Sequence, residues 1–321
     1  MSIEKKPGGT HSFFEGYTGF LFKALLTILL IVYVVSKVQY NSIVAMFFTV
    51  SIPLFIAGSS LFLVNVFFQY KKWELLSKEL LHVTQPNSII KSLFYGHALG
   101  AFTPVRAGEY VGRKIPYNDV TISDCTAATL LDKTSGLLFI YLFGIVALTG
   151  NLLTKGVIGK EEYLYNGSVM LSVAIAFLGI IVLAAWLLRK KILALNFIQK
   201  FVESLKKFRT LSPRVLIKLG VYSFFVVLSF SAQFALLTKS FSLSHSVIEL
   251  FWIGSIMFFL KSLIPPITIG ELGVRESVTI FSLSFANVSQ AAAFNVSISM
   301  FFTNIAAPAL VGLLMMWLKK K

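Results

Sequence analysis

The feature that most constrains this chain is a set of apolar runs too long and too poor in charge for a soluble fold. Residues 18–36, 43–68, 125–149, 167–188, 215–238 and 289–318 form six such runs. Each is long enough to cross roughly 30 Å of hydrocarbon at about 1.5 Å per helical residue. The expected fold class is therefore all-α, a polytopic membrane helical bundle. Charged residues make up 13% of the chain, against about 25% in ordinary soluble proteins. The net charge of +15 is therefore a question of orientation before it is a question of partners.

Two shorter apolar stretches, 89–103 and 251–264, each run into a segment containing Pro, Gly, Glu and Arg. Cationic loops identify the cytoplasmic side, and residues 189–218 hold nine Lys or Arg against the single Glu203. The tail Lys319 to Lys321 and the group Lys71, Lys72 and Lys78 ask for the same side, whereas Lys155 and Lys160 are balanced by Glu161 and Glu162. Six crossings with both termini in the cytoplasm satisfy all of these. Full crossings by both short stretches would put the nine-cation loop outside. Residues 86–118 and 246–287 are therefore expected to be re-entrant hairpins from opposite faces. The protein reads as a multi-pass cytoplasmic-membrane protein whose first helix is retained.

The two hairpins share a motif. Pro104-x3-Gly108-Glu109-x3-Arg113 and Pro266-x3-Gly270-Glu271-x3-Arg275 match at four positions, 162 residues apart (266 − 104). Interrupted segments at corresponding places in two halves point to the binding site of an inverted-repeat transporter. One transmembrane domain is expected, with halves at about 1–166 and 167–321 and a cytoplasmic basic loop at 189–218. Pro104, Gly108, Pro266, Gly270 and Gly273 serve as helix breaks, because Pro and Gly interrupt the helix and let backbone approach a ligand. A new helix starting near Gly108 or Gly270 would aim its N–H groups at the break, where an anion fits. Glu and Arg four residues apart share a helix face and can pair, so each motif neutralises its own charge until an anion competes. Arg106 and Glu276 then add one unpaired charge of each sign. Asp132 and Lys133, early in the third long run, read either as an internal ion pair or as a proton or head-group contact.

Other features have plainer readings. His97 reads as a packed polar residue, Cys125 as a small core side chain without a disulfide partner, and Tyr70-Lys71-Lys72-Trp73 as an interfacial anchor. In the basic loop, Ile192, Leu195, Ile198, Val202, Leu205 and Phe208 recur at helical spacing. That pattern reads as an amphipathic helix lying on an anionic leaflet. The scattered histidines and lone cysteine supply no metal spacing, and no phosphate-binding Gly-x4-Gly-Lys-[Ser/Thr] loop occurs. No metal or nucleotide cofactor and no nucleic-acid partner are expected.

The segments TPVRAGEYVGR and LIPPITIGELGVRES, with YKKWELL before them and TLLDKTSGL between them, resemble the lysylphosphatidylglycerol synthase transmembrane region, a flippase-like family. The resemblance spans essentially the whole chain. It places the family's first motif on Pro104, Arg106, Gly108, Glu109 and, displaced by one, Arg113. The second falls on Gly270, Gly273, Arg275 and Glu276, departing at Ile269 and Glu271 where many members carry glycine, and the mid-span pair falls on Asp132 and Lys133. The best understood members join this domain to a synthase module that uses aminoacyl-tRNA. The sequence ends after the last apolar run, so no synthase activity is expected of it.

Together these readings give a lipid translocase whose head-group site comprises Arg106, Glu109, Arg113, Asp132, Lys133, Glu271, Arg275 and Glu276. The expected partners are membrane lipids, anionic or aminoacylated phospholipids first, with a second copy or a lipid-synthesis enzyme as protein partners. The competing expectations are a membrane-embedded transferase and an accessory subunit of an envelope-lipid pathway.

Overall fold

The structure is a computed structural model that describes residues 40–103, 106–155, 211–264 and 271–318, together with Leu25 and Val32. The rest of the run 18–36, the run 167–188 and the loop residues 189–210 lie outside the described residues, as do both termini. Every regular element described is helical. In chain order these are α1 (Tyr40–Phe48), α2 (Ile52–Leu80), α3 (Pro86–Phe102), α4 (Ala107–Lys114), α5 (Ile122–Lys155), α6 (Pro213–Phe241), α7 (Val247–Leu263), α8 (Val274–Ser284) and α9 (Gln290–Phe301). A π-helical turn, Phe302–Ala306, then joins α9 to α10 (Ala307–Leu318). Among the described residues, four helices are long and apolar enough to cross a membrane: Ile52–Leu80, Ile122–Leu148, Pro213–Phe241 and Gln290–Leu318.

The starts follow local chemistry. Helices α2, α3 and α6 begin with proline in the first turn, where the missing N–H costs nothing. Side chains of Ser212, Ser246 and Ser289 accept hydrogen bonds from the N–H groups of Val215, Glu249 and Ala292. One expected boundary is corrected. The run 43–68 is not one span but α1 and α2, broken at Thr49 to Ser51 ahead of Pro53, where Ser51 N donates to Ser240 O at 2.9 Å. The span that follows therefore runs on to Leu80, which places Lys71, Lys72 and Trp73 inside a helix. Likewise, residues 213–218 belong to α6 rather than to the basic loop.

Helices α2 and α6 are each 29 residues long, and α3 and α7 are each 17. Both pairs start 161 residues apart (213 − 52 and 247 − 86). Helices α2 and α6 pack on each other antiparallel. Gly58 abuts Leu237, Asn65 Nδ2 donates to Val226 O at 3.0 Å, Phe68 stacks on Phe225 with centroids 4.8 Å apart, and Leu76 shares a cluster with Leu219. Two glycines join helices far apart in the sequence. Gly312 of α10 packs on Phe94 and Ala98 of α3, and Gly144 of α5 packs on Phe259 of α7.

Helices α3 and α4 form an antiparallel hairpin closed by small residues. Gly96 and Gly100 face Arg113 and Glu109, while Gly108 and Gly112 face the backbone of Leu99 and Tyr95. Small residues four apart on both helices let backbones approach closely in an apolar medium. A Cβ at Gly112 would lie 2.3 Å from Tyr95 O, and one at Gly312 would lie 2.1 Å from Phe94 O. Gly112→Ala and Gly312→Ala are each expected to destabilise the protein by about 1–3 kcal/mol, read as a lower midpoint of thermal unfolding in one detergent. Gly220→Ala, whose Cβ meets nothing nearer than Phe139 at 4.0 Å, is expected to lose no stability.

Candidate functional site

The hairpin tip sets the first cluster. Arg106 precedes α4 with φ 54°, a left-handed conformation that a side-chain-bearing residue adopts at a cost. Thr103 Oγ1 accepts from Gly108 N at 2.7 Å and holds the first turn. One turn on, Glu109 meets Arg113 (Oε1 to Nη2, 2.8 Å), as i, i+4 spacing predicts, and its other oxygen meets Arg106 Nε at 3.1 Å and Lys133 Nζ at 2.7 Å. Asp132 of α5 pairs with Arg113 Nη1 at 2.9 Å and with Lys72 Nζ at 3.0 Å. Lys72 also donates to the Asp132 carbonyl at 2.7 Å. The Arg113 guanidinium lies 4.2 Å from the Trp73 ring centre, and the indole N–H donates to Ser92, which donates to Arg113 O.

This cluster holds four cations, Lys72, Arg106, Arg113 and Lys133, against two carboxylates. Its distribution matters more than its count. The side chains of Arg113 and Glu109 are each 3% exposed, whereas those of Arg106 and Lys133 are 27% and 31% exposed. The two excess charges are therefore carried by the two accessible heads, both resting on one carboxylate oxygen.

The second tip is balanced. Glu271, with φ 62°, pairs with Lys261 of α7. Arg275 pairs with Glu276 at 2.9 Å, donates through Nε to Ser297 Oγ at 3.1 Å, and lies 5.1 Å from the Phe301 ring centre. Ser297 in turn donates to Glu276 at 3.0 Å. Glu276 also accepts from Gly273 N at 2.5 Å, capping its own helix. Arg106 lies within electrostatic reach of Glu271.

Several expectations change. Glu271 and Arg275 do not pair with each other, because α8 starts only at Val274 and Glu271 is not on its face. Arg106 and Glu276, expected to be unpaired, both have partners. Asp132 and Lys133 look to different partners rather than to one another. Gly108 is needed for close approach to Leu99, and Gly273, with φ 85°, immediately precedes α8. Pro104, Pro266 and Gly270 lie outside the described residues. Tyr70-Lys71-Lys72-Trp73 is not a surface anchor: Lys72 and Trp73 are buried and complete the first cluster. No sequence signal singles Lys72 out, because it lies in the polar last third of α2 beside Lys71, Glu74, Lys78 and Glu79. Lys261 also belongs to the site, marked in the sequence as the one charge in the apolar run 251–264, and so do Ser92 and Ser297, which nothing in their sequence context marks. Among the described residues no group of His, Cys, Asp or Glu is arranged to hold a metal.

A family model described as lysylphosphatidylglycerol synthase TM region matches residues 20–312. No curated protein matches the chain.

Proposed function

Because this chain belongs to the lysylphosphatidylglycerol synthase transmembrane-region family, we propose that it is a translocase moving a polar-headed lipid between leaflets. The head group binds where the two hairpin tips approach, and the acyl chains stay in the bilayer. The observation that carries this reading is the shared pairing of Arg106 and Lys133 with Glu109. A lipid phosphate has the charge and the acceptor geometry to replace the Glu109 oxygen that both cations use. Glu109 keeps Arg113 when they leave, so no buried charge is stranded. Asp132 holds Arg113 and Lys72 in place beneath, and charge-assisted bonds of this kind are the strong ones.

In this proposal the halves form an inverted repeat, with α3–α4 and α7–α8 as hairpins entering from opposite faces of a cytoplasmic membrane and both termini cytoplasmic. Equal-length helices α2 and α6 running antiparallel, and the reciprocal glycine contacts at Gly144 and Gly312, support that arrangement. Anionic or aminoacylated phospholipids are the favoured cargo, since the first cluster has two cations in excess and the second offers Glu271 to a cationic group.

The test is leaflet exchange of labelled anionic phospholipid in liposomes. Wild type accelerates exchange over protein-free vesicles. Arg106→Ala, folded by its unfolding midpoint, slows it about 10- to 100-fold, the loss of one charge-assisted bond of roughly 1.5–3 kcal/mol. Unchanged exchange in that variant contradicts the site.

A further inference from the structure

His97 lies on α3 between Gly96 and Gly100, which face Arg113 and Glu109 of α4. The residue is only 7% exposed, and its Nε2 has no hydrogen-bond partner among the described residues. Buried polar atoms are almost always satisfied, so an orphan at a site calls for a ligand or a function. The ring is within electrostatic reach of Arg106, Glu109, Arg113 and Lys133. Phe94 covers it on its own helix, with ring centres 6.3 Å apart. Three cations and one carboxylate surround it, so the neutral imidazole is the form that fits, and its ring-nitrogen lone pair accepts one hydrogen bond.

We infer that His97 Nε2 is the acceptor for a hydroxyl of the lipid head group, placed beside the phosphate that Arg106 and Lys133 take. This rests on the translocase reading and narrows its substrate to lipids whose head carries a hydroxyl close to the phosphate. Arg106 and Lys133 are the accessible heads within electrostatic reach of the ring, so a phosphate that they take brings the rest of the head group to the same pocket. A head with no donor leaves Nε2 buried and unpaired. Selectivity built on an unpaired site group is stronger than selectivity built on size.

Short-chain phosphatidylglycerol and phosphatidylpropanol carry the same charge and the same three-carbon head, and differ in the two hydroxyls. Binding of each to the detergent-purified full chain, read by titrated thermal shift, isolates the hydrogen bond. Wild type is expected to prefer phosphatidylglycerol about tenfold, and His97→Met to show no preference. His97→Gln, whose amide oxygen reaches the Nε2 position, keeps most of it, and His97→Asn, which falls short, loses it. Should His97→Met fail to fold, the Gln and Asn pair decides. Equal binding of the two lipids by wild type, or a preference retained by Met or Asn, overturns the inference. Equal binding together with accelerated leaflet exchange leaves the translocase reading standing, whereas binding of neither lipid removes both.

Discussion

Asp132→Ala is expected to cost about 3–5 kcal/mol of folding stability, the typical result of removing one partner from a buried ion pair. The carboxylate is the contact that Arg113 and Lys72 share, at 2.9 and 3.0 Å, and both cations are almost fully buried. Its removal leaves Lys72 without a carboxylate and Arg113 with Glu109 alone, which is already shared among three cations. Loss of the orphaned lysine should recover part of the cost, so Asp132→Ala combined with Lys72→Met is expected to be more stable than Asp132→Ala alone by about 1–2 kcal/mol. Chemical unfolding in one detergent checks both numbers. A loss below about 1 kcal/mol for the single variant would show that water reaches the cluster.

Glu109→Gln keeps the volume and removes the charge that Arg106, Arg113 and Lys133 all use. It is expected to lower stability by about 3 kcal/mol or more in neutral detergent. If a lipid phosphate takes the place of that carboxylate, anionic lipid should restore this variant more than it stabilises wild type. A ligand at a hundred times its dissociation constant contributes about 2.7 kcal/mol, enough to recover most of the loss. Zwitterionic lipid at the same concentration should restore less. Equal rescue by both lipids would mean that the cluster does not distinguish phosphate charge.

Among the described residues, the long apolar spans and the break between α3 and α4 were legible in the sequence, because unbroken apolar length and the residues that end it are local properties. The charged members of the first motif were legible for a related reason: Glu109 and Arg113 lie four apart within one helix. The partners that come from elsewhere were not. Lys72 reaches Asp132 across 60 positions, and Trp73 meets Arg113 only because α2 runs past Phe68 to Leu80. Reading the run as ending at Phe68 made the same residues look like a surface anchor. In the second motif, the i, i+4 rule assumed a helix that had not yet begun at Glu271. The glycine pairs 96/100 and 108/112 were visible as spacing, yet their meaning depends on an antiparallel crossing that spacing alone does not specify.

The most direct test of the head-group site is an experimental map of the protein in a lipid disc containing anionic phospholipid. The account predicts phosphate density within hydrogen-bonding distance of Arg106 and Lys133, with Glu109 turned to Arg113 alone. Lipid phosphates seen only around the rim of the bundle, with both cations still on Glu109, would contradict it.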